Sequence, residues 1–332
     1  ENFSQYKSKR ITLYEARFAS FSILHRILWE WFFLPLLLKK WSADIYYAPG
    51  GILTSRAPNC CKSITTLQNM LPFDIIGRSK FPLFSLIRLK FFILKFVFLR
   101  SYKIADKVIF ISNYSRDIVA NHMPNIYQKS VVIPLAVNDI FIESQIDYVL
   151  PQTLIKNKFY LYVSVLDYYK AQKELLYSWK KLVDEGFEYP LVFAGPIINN
   201  YGQEVLKLIK NLNLEDKVIH LGSVDYKKLP GLYKAARSLI FASSCECCPN
   251  ILLEMLASKK RILCSNINPM PEFGEDAVYY FNPYSDIELI DKIRQSELDT
   301  LNQIPMDLKA FKLSQKYRQN DIIKQWVHYL LT

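Results

Sequence analysis

Between residues 159 and 297, short apolar runs alternate with stretches of helical period, and this alternation constrains the fold more than any other feature. The runs are 159–165 (FYLYVSV), 190–194 (PLVFA), 217–221 (KVIHL), 238–242 (SLIFA), 261–265 (RILCS) and 277–281 (AVYYF). Each is short and nearly continuous in apolar residues, the pattern of a strand buried on both faces. The intervening segments 173–185, 202–213, 226–236, 249–258 and 285–297 are predicted helices. In the first of them Leu175, Leu176, Trp179, Leu182 and Val183 share one face, and Gly186 follows as a stop. Strands and helices in this order predict a parallel sheet covered on both faces, doubly wound by right-handed crossovers.

The first half is also α/β but less regular. Strands are expected at 44–48, 62–67, 107–111 and 130–133, and helices at 12–40, 81–104 and from Ser112 to Ala120. No opening strand with a Gly-rich turn precedes them, and the chain begins at Glu1 rather than Met. The first domain is therefore expected to be incomplete at its start. A chain of 332 residues suits two domains. They are drawn at 1–150 and 151–312, with 134–151 as the connection and 313–332 as a helix free to return to the first domain.

The net charge is +11 with a pI near 9.2. Such an excess fits phosphate-bearing substrates, anionic lipid or nucleic acid. No nucleic-acid-binding motif stands in the sequence, so nucleic acid is set aside. Residues 81–99 have the length of a membrane span but include Arg88, Lys90 and Lys95. Each such charge costs roughly 2.5–3.5 kcal/mol at a bilayer centre, so no span is expected. The segment reads either as a helix inside the first domain or as one lying on an anionic membrane surface. Six cysteines are bunched at 60–61, 245–248 and 264, which fits a reducing, cytoplasmic setting better than a disulfide framework. Cys245, Cys247 and Cys248 lack the fourth ligand that a tetrahedral zinc site needs, so no metal is expected.

In doubly wound sheets ligands bind at the C-terminal ends of the strands. After 238–242 comes Ser243-Ser244-Cys245-Glu246-Cys247-Cys248-Pro249-Asn250, then a helix. Pro249 suits the first helical position, and the amides of Asn250, Ile251 and Leu252 are expected to point outward, ready for a phosphate. Glu246 precedes that turn and Glu254 lies about one helical turn inside. After 159–165, Lys170 stands just before a helix, where its charge opposes the helix dipole. A lysine in that place is a candidate phosphate counter-charge. Each feature alone also has an ordinary reading as a solvated loop charge.

Together these residues resemble the donor half of the family-4 retaining glycosyltransferases, whose E-x7-E motif matches Glu246 and Glu254. The resemblance extends outward in order. It takes in Phe159 to Lys170, then Phe193-Ala194-Gly195-Pro196, then His220 to Val224. Leu229 to Ala236 is similar to a helix carrying "LYxxA", and Pro271-Glu272-Phe273-Gly274 with Phe281-Asn282-Pro283 is similar to the family's tail. In the first half, Ala105 to Ser115 and Val132 to Val137 resemble the last strand of the N-terminal domain and the way into the linker. The match covers about 105–331 well and 12–104 loosely.

The resemblance implies a GT-B fold: two Rossmann-like, doubly wound domains facing across a cleft. It implies a nucleotide-diphosphate sugar as donor, a glycan or lipid-diphosphate-linked acceptor in surface polysaccharide assembly, and no cofactor or metal. By carry-over Lys170 neutralises the phosphates, Glu246 meets sugar hydroxyls, and Glu254 meets ribose hydroxyls. Asn250, Ile251 and Val224 complete the donor set, and Gln68 and Asn69 fall on the acceptor side. This chain departs from the family in several places. Cys247-Cys248-Pro249 replaces Gly-Phe-Gly, Val165 stands near a usual Arg, and Gln68-Asn69 replaces a His-Asp pair. Gln cannot act as a general base. Two other readings compete: a non-catalytic binding remnant of the same fold, and a GT-B phosphorylase.

Overall fold

The computed structural model describes residues 8, 10–143, 148–298 and 303–332. The first half runs α1 (Arg17–Ser20), α2 (Ile23–Phe32), α3 (Leu34–Lys40), β1 (Ile45–Ala48), β2 (Lys62–Leu67), α4 (Ile75–Ser79), α5 (Leu86–Ile104), β3 (Lys107–Phe110), α6 (Asn113–Ala120), β4 (Ser130–Val132) and α7 (Asp139–Glu143). The second runs β5 (Tyr160–Val163), α8 (Gln172–Asp184), β6 (Leu191–Ala194), α9 (Asn200–Asn211), β7 (Val218–His220), α10 (Leu229–Ala235), β8 (Ser238–Phe241), α11 (Asn250–Ala257), β9 (Arg261–Ser265), α12 (Met270–Gly274), β10 (Tyr279–Phe281) and α13 (Asp286–Leu298). Two further helices, α14 (Gln303–Ser314) and α15 (Gln319–Leu331), end the chain.

The first sheet has the order β1-β2-β3-β4 and the second β10-β9-β8-β5-β6-β7. Every pairing in both is parallel. In the second sheet β5 lies between β6 and β8, so successive crossovers leave it in opposite directions. The loops after β5 and β8 therefore part at a switch point and leave a crevice between them. The buried strands carry the apolar runs read from the sequence. Leu175, Leu176, Trp179 and Leu182 of α8 are at most 2% exposed. Each such side chain stabilises the fold by roughly 1.5–3 kcal/mol relative to exposure.

The first half departs from expectation in its helices. The helical stretch expected over 12–40 divides into α1, α2 and α3. Ser22 turns to an extended backbone and caps α2, its hydroxyl accepting from the His25 N–H, and Pro35 in the first turn of α3 has no N–H to continue α2. The helix expected from residue 81 begins at Leu86, because Ser85 caps it by accepting from the Arg88 N–H. The final helix expected at 313–331 is present as α15 but starts later, at Gln319, because the end of α14 and a 3-10 turn over Gln315–Tyr317 take up the preceding residues, and α15 lies on the first sheet. Ile322 packs with Ile64, Ile109 and Ile133, and the Trp326 ring meets Tyr47 edge-on at 5.8 Å. No helix among the described residues is long and apolar enough to cross a membrane.

At the N-terminal ends of the second sheet's strands, Glu297 gathers three partners. It accepts from the Tyr160 hydroxyl, from Arg237 Nε at 2.9 Å and from Arg261 Nη1 at 3.0 Å. Burial alone would raise this carboxyl, but hydrogen bonds from Arg237 and Tyr160 hold it below its usual range. The network joins β5, β8, β9 and α13 at the end of the sheet remote from the crevice.

Candidate active site in the interdomain cleft

Lys170 ends a short 3-10 turn over Tyr168–Lys170 that follows β5. The turn is pinned from both sides. The Asp167 carboxylate accepts from the Tyr168 N–H at 2.8 Å, and the Lys170 carbonyl accepts from the buried Tyr162 hydroxyl at 2.8 Å. Ala171 then takes a left-handed backbone, φ 54°, and starts α8. The Lys170 side chain runs inward rather than into solvent and is 4% exposed. Its ammonium lies 4.9 Å from the Tyr169 ring centre and 5.5 Å from that of Phe241. It ends on the Glu246 carboxylate in a partly buried ion pair.

Glu246 belongs to the loop after β8. The loop is tied to the Lys170 turn where the Tyr169 carbonyl accepts from the Ser244 N–H at 2.8 Å and from its hydroxyl at 3.0 Å. It is tied to the first domain where the Cys247 thiol donates to the Leu67 carbonyl at 3.3 Å. The small buried thiols thus fill the space between the domains, and among the described residues no group of His, Cys, Asp and Glu is arranged to hold a metal.

The start of α11 differs in two details from the sequence expectation. Pro249 is the N-cap rather than the first helical residue. The Asn250 amide does not point outward but donates to the Cys248 carbonyl at 2.9 Å. Among the described residues the Ile251 and Leu252 amides donate to no backbone carbonyl outside the helix, and Pro249 supplies no side-chain cap. Two amides and the positive end of the helix dipole thus remain for an anion.

One turn inside, Glu254 is buried and accepts from three donors. These are the Tyr226 hydroxyl at 3.1 Å, the Tyr233 hydroxyl at 3.2 Å and Asn250 Nδ2 at 3.3 Å. Burial pushes the carboxyl up to about 7, even though hydrogen bonds from Tyr226 and Tyr233 pull the other way. Tyr226 and Tyr233 are candidate site residues, as donors to Glu254, that the sequence reading missed. Tyr233 stands inside the quoted "LYxxA" helix, a usable signal; Tyr226 carried none. Val224 is half-buried in the loop that leads to Tyr226.

The strand ends behind the crevice come unusually close. Gly195 has φ +156°, and a Cβ there would sit 1.9 Å from the Ser164 carbonyl oxygen. Only glycine allows β6 to end against the β5 loop in this way. His220 contacts the Gly195 carbonyl at 2.8 Å, so it braces this junction.

The first domain closes the cleft with α4 and its flanks. Gly77 lies against Cys245, so closely that an added Cβ would be 3.2 Å from the Cys245 Cβ. The Phe81 ring is 5.1 Å from that of Tyr168, and Lys80 Nζ is 3.6 Å from the Tyr284 ring centre. Glu272, leading into the body of α12, reaches across and accepts from the Asn113 N–H at 2.7 Å and the Tyr114 N–H at 3.0 Å. Gln68 and Asn69 follow β2 on this same wall and are exposed. Asn69 Oδ1 is occupied by the Leu71 N–H at 3.1 Å, a turn of its own chain. The structure therefore joins Lys170 to Glu246 and Asn250 to Glu254, and leaves Gln68 and Asn69 exposed. The sequence reading did not single out Asp74, which caps α4 and stands beside Cys245. A separate hollow of about 630 Å³, lined by Arg56, Lys62 and Lys103 among others, contains none of these residues.

Comparison with known proteins agrees with this geometry. The model of the family described as "Glycosyl transferases group 1" matches residues 151–320. Among curated proteins the chain is similar to O-antigen chain mannosyltransferase B of Escherichia coli, 29% identical over 132 residues. That alignment covers 39% of this chain and 34% of the relative, so it spans about a third of the latter. Among solved structures, a glycosyltransferase from Rickettsia africae ESF-5 superposes with a TM-score of 0.71 at 20% identity, over 96% of this chain and 83% of that one. Anabaena HepE, solved in complex with UDP and glucose, gives 0.70 at 18% identity, over 90% and 80%. At these identities the likeness is one of fold, the GT-B arrangement of two parallel-sheet domains.

Proposed function

The chain belongs to the glycosyl transferases group 1 family, and from that premise we propose that it is a retaining glycosyltransferase of the family-4 kind, moving a sugar from a nucleotide diphosphate to a glycan or lipid-diphosphate-linked acceptor. The observation that carries this reading is the buried Lys170–Glu246 pair set immediately before the uncapped start of α11.

The chemistry follows from charge. As the bond from the anomeric carbon to the phosphate oxygen breaks, negative charge grows on the diphosphate. Lys170 and the amides of Ile251 and Leu252 supply fixed positive potential there. The acceptor hydroxyl attacks from the face the nucleotide leaves, and its proton passes to the departing phosphate, so configuration is retained without a covalent intermediate. No protein base is required at Gln68, whose amide cannot serve as one. No metal is required either, because lysine and helix end together meet the diphosphate. When the diphosphate draws the Lys170 ammonium, Glu246 is released to accept hydrogen bonds from the sugar. Glu254 accepts from the ribose.

Surface polysaccharide assembly at a membrane is the proposed setting, supported by the name of the E. coli relative, which also makes a mannosyl donor the first to try. The test is calorimetric titration with UDP, GDP, ADP and TDP, with and without EDTA. It is followed by turnover with the matching sugars and assignment of the product anomer. Micromolar binding of one nucleotide, indifferent to EDTA, is expected. No nucleotide binding by folded protein would overturn the donor site. Binding without turnover on any acceptor would leave a nucleotide-binding protein, and an inverted anomer would reject retention.

A further inference from the structure

Residues 10–105 contain 14 Lys and Arg against 4 Asp and Glu, a net +10, whereas residues 106–332 contain 26 of each. Nearly the whole basic excess thus lies in the first third of the chain. The same third exposes large apolar side chains that the core does not use. In α2, Ile23, Leu24, Ile27, Leu28 and Trp31 follow helical spacing along one side, and that side faces out: Ile23 is 75% and Leu24 68% exposed. In α5, Phe91, Phe98 and Tyr102 enter the core while Leu86, Leu89, Ile93 and Phe96 line the opposite, exposed side. Phe84, just before it, is fully exposed. A helix apolar on every side normally has apolar surroundings on every side.

The two helices flank one loop. The Thr54 carbonyl accepts from the Trp31 indole N–H and from the Arg100 guanidinium, and the Glu30 carboxylate accepts from the Thr54 hydroxyl at 3.0 Å. Their exposed sides thus belong to one region of the surface, edged by exposed Lys39 and Lys40 at the end of α3 and by Lys90 on α5. An apolar patch of this extent, surrounded by cations, is rare on a protein that stays in water. Neither helix is long and apolar enough to cross a bilayer. Apolar side chains on short helices, with lysines at the margin, match the depth profile of a bilayer interface with anionic headgroups.

We propose that α2, α3 and the outer side of α5 form one docking face for an anionic membrane. The face runs to the cleft: Phe81 meets Phe91 of α5 at 5.5 Å and Tyr168, two residues before Lys170, at 5.1 Å. A lipid-diphosphate acceptor held in the bilayer would meet the cleft at this edge, a consequence that rests on the proposed glycosyl transfer. The docking itself does not.

The test is co-sedimentation of the full chain with vesicles of phosphatidylcholine alone and of phosphatidylcholine mixed with phosphatidylglycerol, at low and high salt. Binding to the mixed vesicles, weakened by salt and much weaker on neutral ones, is expected. The double substitution Leu89→Glu, Ile93→Glu lowers it at least about tenfold, and Lys39→Glu, Lys40→Glu lowers it several-fold, with circular dichroism unchanged. The lysine pair is exposed, so that variant keeps the test valid if the α5 variant does not fold. Folded protein that stays in the supernatant with both vesicle types overturns the proposal. So does a stable dimer that the same substitutions dissociate, since the face would then be covered by a second copy. Nucleotide titration, run without vesicles, reports the donor site separately, so either reading can fail while the other stands.

Discussion

The Lys170 ammonium closes on the Glu246 carboxylate with only 6% and 16% of their side-chain surfaces exposed. Each charge therefore depends on the other until a donor arrives. Removing one partner of such a pair costs more than the pair itself contributes, because the remaining charge stays buried. Lys170→Ala is expected to weaken nucleoside diphosphate binding by about 2–4 kcal/mol and to leave the nucleoside nearly unaffected. Glu246→Gln keeps the nucleotide and loses transfer by roughly a hundredfold. Titration with diphosphate and nucleoside, beside steady-state turnover, separates the two. Equal loss for nucleoside and diphosphate would show that Lys170 does not face the phosphates.

Glu254 gives the site a pH dependence whose sign is fixed. Its folded carboxyl titrates near 7 rather than 4.5, chiefly through burial. Between those values the folded chain holds a proton that the unfolded chain has released. The stability from this group is complete below the lower value and is lost as pH rises through the upper one. Glu254→Gln does not titrate, so its stability relative to the wild type should improve by about 3 kcal/mol from pH 4 to pH 8. Urea unfolding at the two pH values measures this, and a difference independent of pH would place the titration at its ordinary value. Nucleotide affinity of the wild type should rise as pH climbs through 7, where the carboxylate becomes the better acceptor for ribose hydroxyls. In the variant it should stay flat.

The second sheet was legible because its buried strands are continuous apolar runs and its helices keep one apolar stripe, so period and length agree at every step. The candidate site was legible in its arrangement where chemistry and chain position coincide: the loops that carry Lys170 and Glu246 do meet, and Glu254 lies one turn inside α11. Sequence failed where a single polar atom decided the outcome. Ser22 and Ser85 set helix starts by capping, and Pro35 divides α2 from α3 within the stretch 12–40 that reads as helical without internal boundaries. The Asn250 amide was lost to the Cys248 carbonyl for the same kind of reason, a local turn that composition does not encode. Tyr226 and Asp74 were missed because they reach the site only through tertiary packing, from a turn before α10 and from the other domain.

The Glu297 network offers a test of stability remote from the cleft. Glu297 is the common acceptor for Tyr160, Arg237 and Arg261, with Arg261 almost wholly buried. Glu297→Ala leaves two guanidinium groups and a buried hydroxyl without it, and a loss of roughly 2–4 kcal/mol is expected. The carboxyl is held low in the folded chain, so its contribution is present above the unfolded pKa and is lost as pH falls through the folded one. The gap between wild type and variant should therefore narrow in acid. Chemical denaturation at neutral pH and in acid checks both statements, and nucleotide affinity should not change. A variant as stable as the wild type at neutral pH would mean that the arginines find water without cost.

Glu272 ties domain position to the integrity of one helix. The start of α6 has its amides divided between two caps. Ser112, from the same domain, accepts from the Ser115 N–H at 3.1 Å, while Glu272, from the other domain, takes Asn113 and Tyr114. A carboxylate also suits the positive end of the helix. Opening the cleft must expose those two amides, so the cap favours the closed arrangement in which Gly77 meets Cys245 and Phe81 meets Tyr168. Glu272→Gln retains one acceptor oxygen but loses the charge and turns an N–H toward a donor, which is expected to cost about 1–2 kcal/mol of closure. Hydrogen exchange at Asn113 and Tyr114 should then quicken by roughly five- to thirtyfold, with Ser115 much less affected. The radius of gyration from small-angle scattering should rise. Glu272→Asp, one methylene shorter, should fall between the two. If exchange at Asn113 and Tyr114 is unchanged, the closed arrangement is held by the aromatic and thiol contacts alone and Glu272 is not the latch.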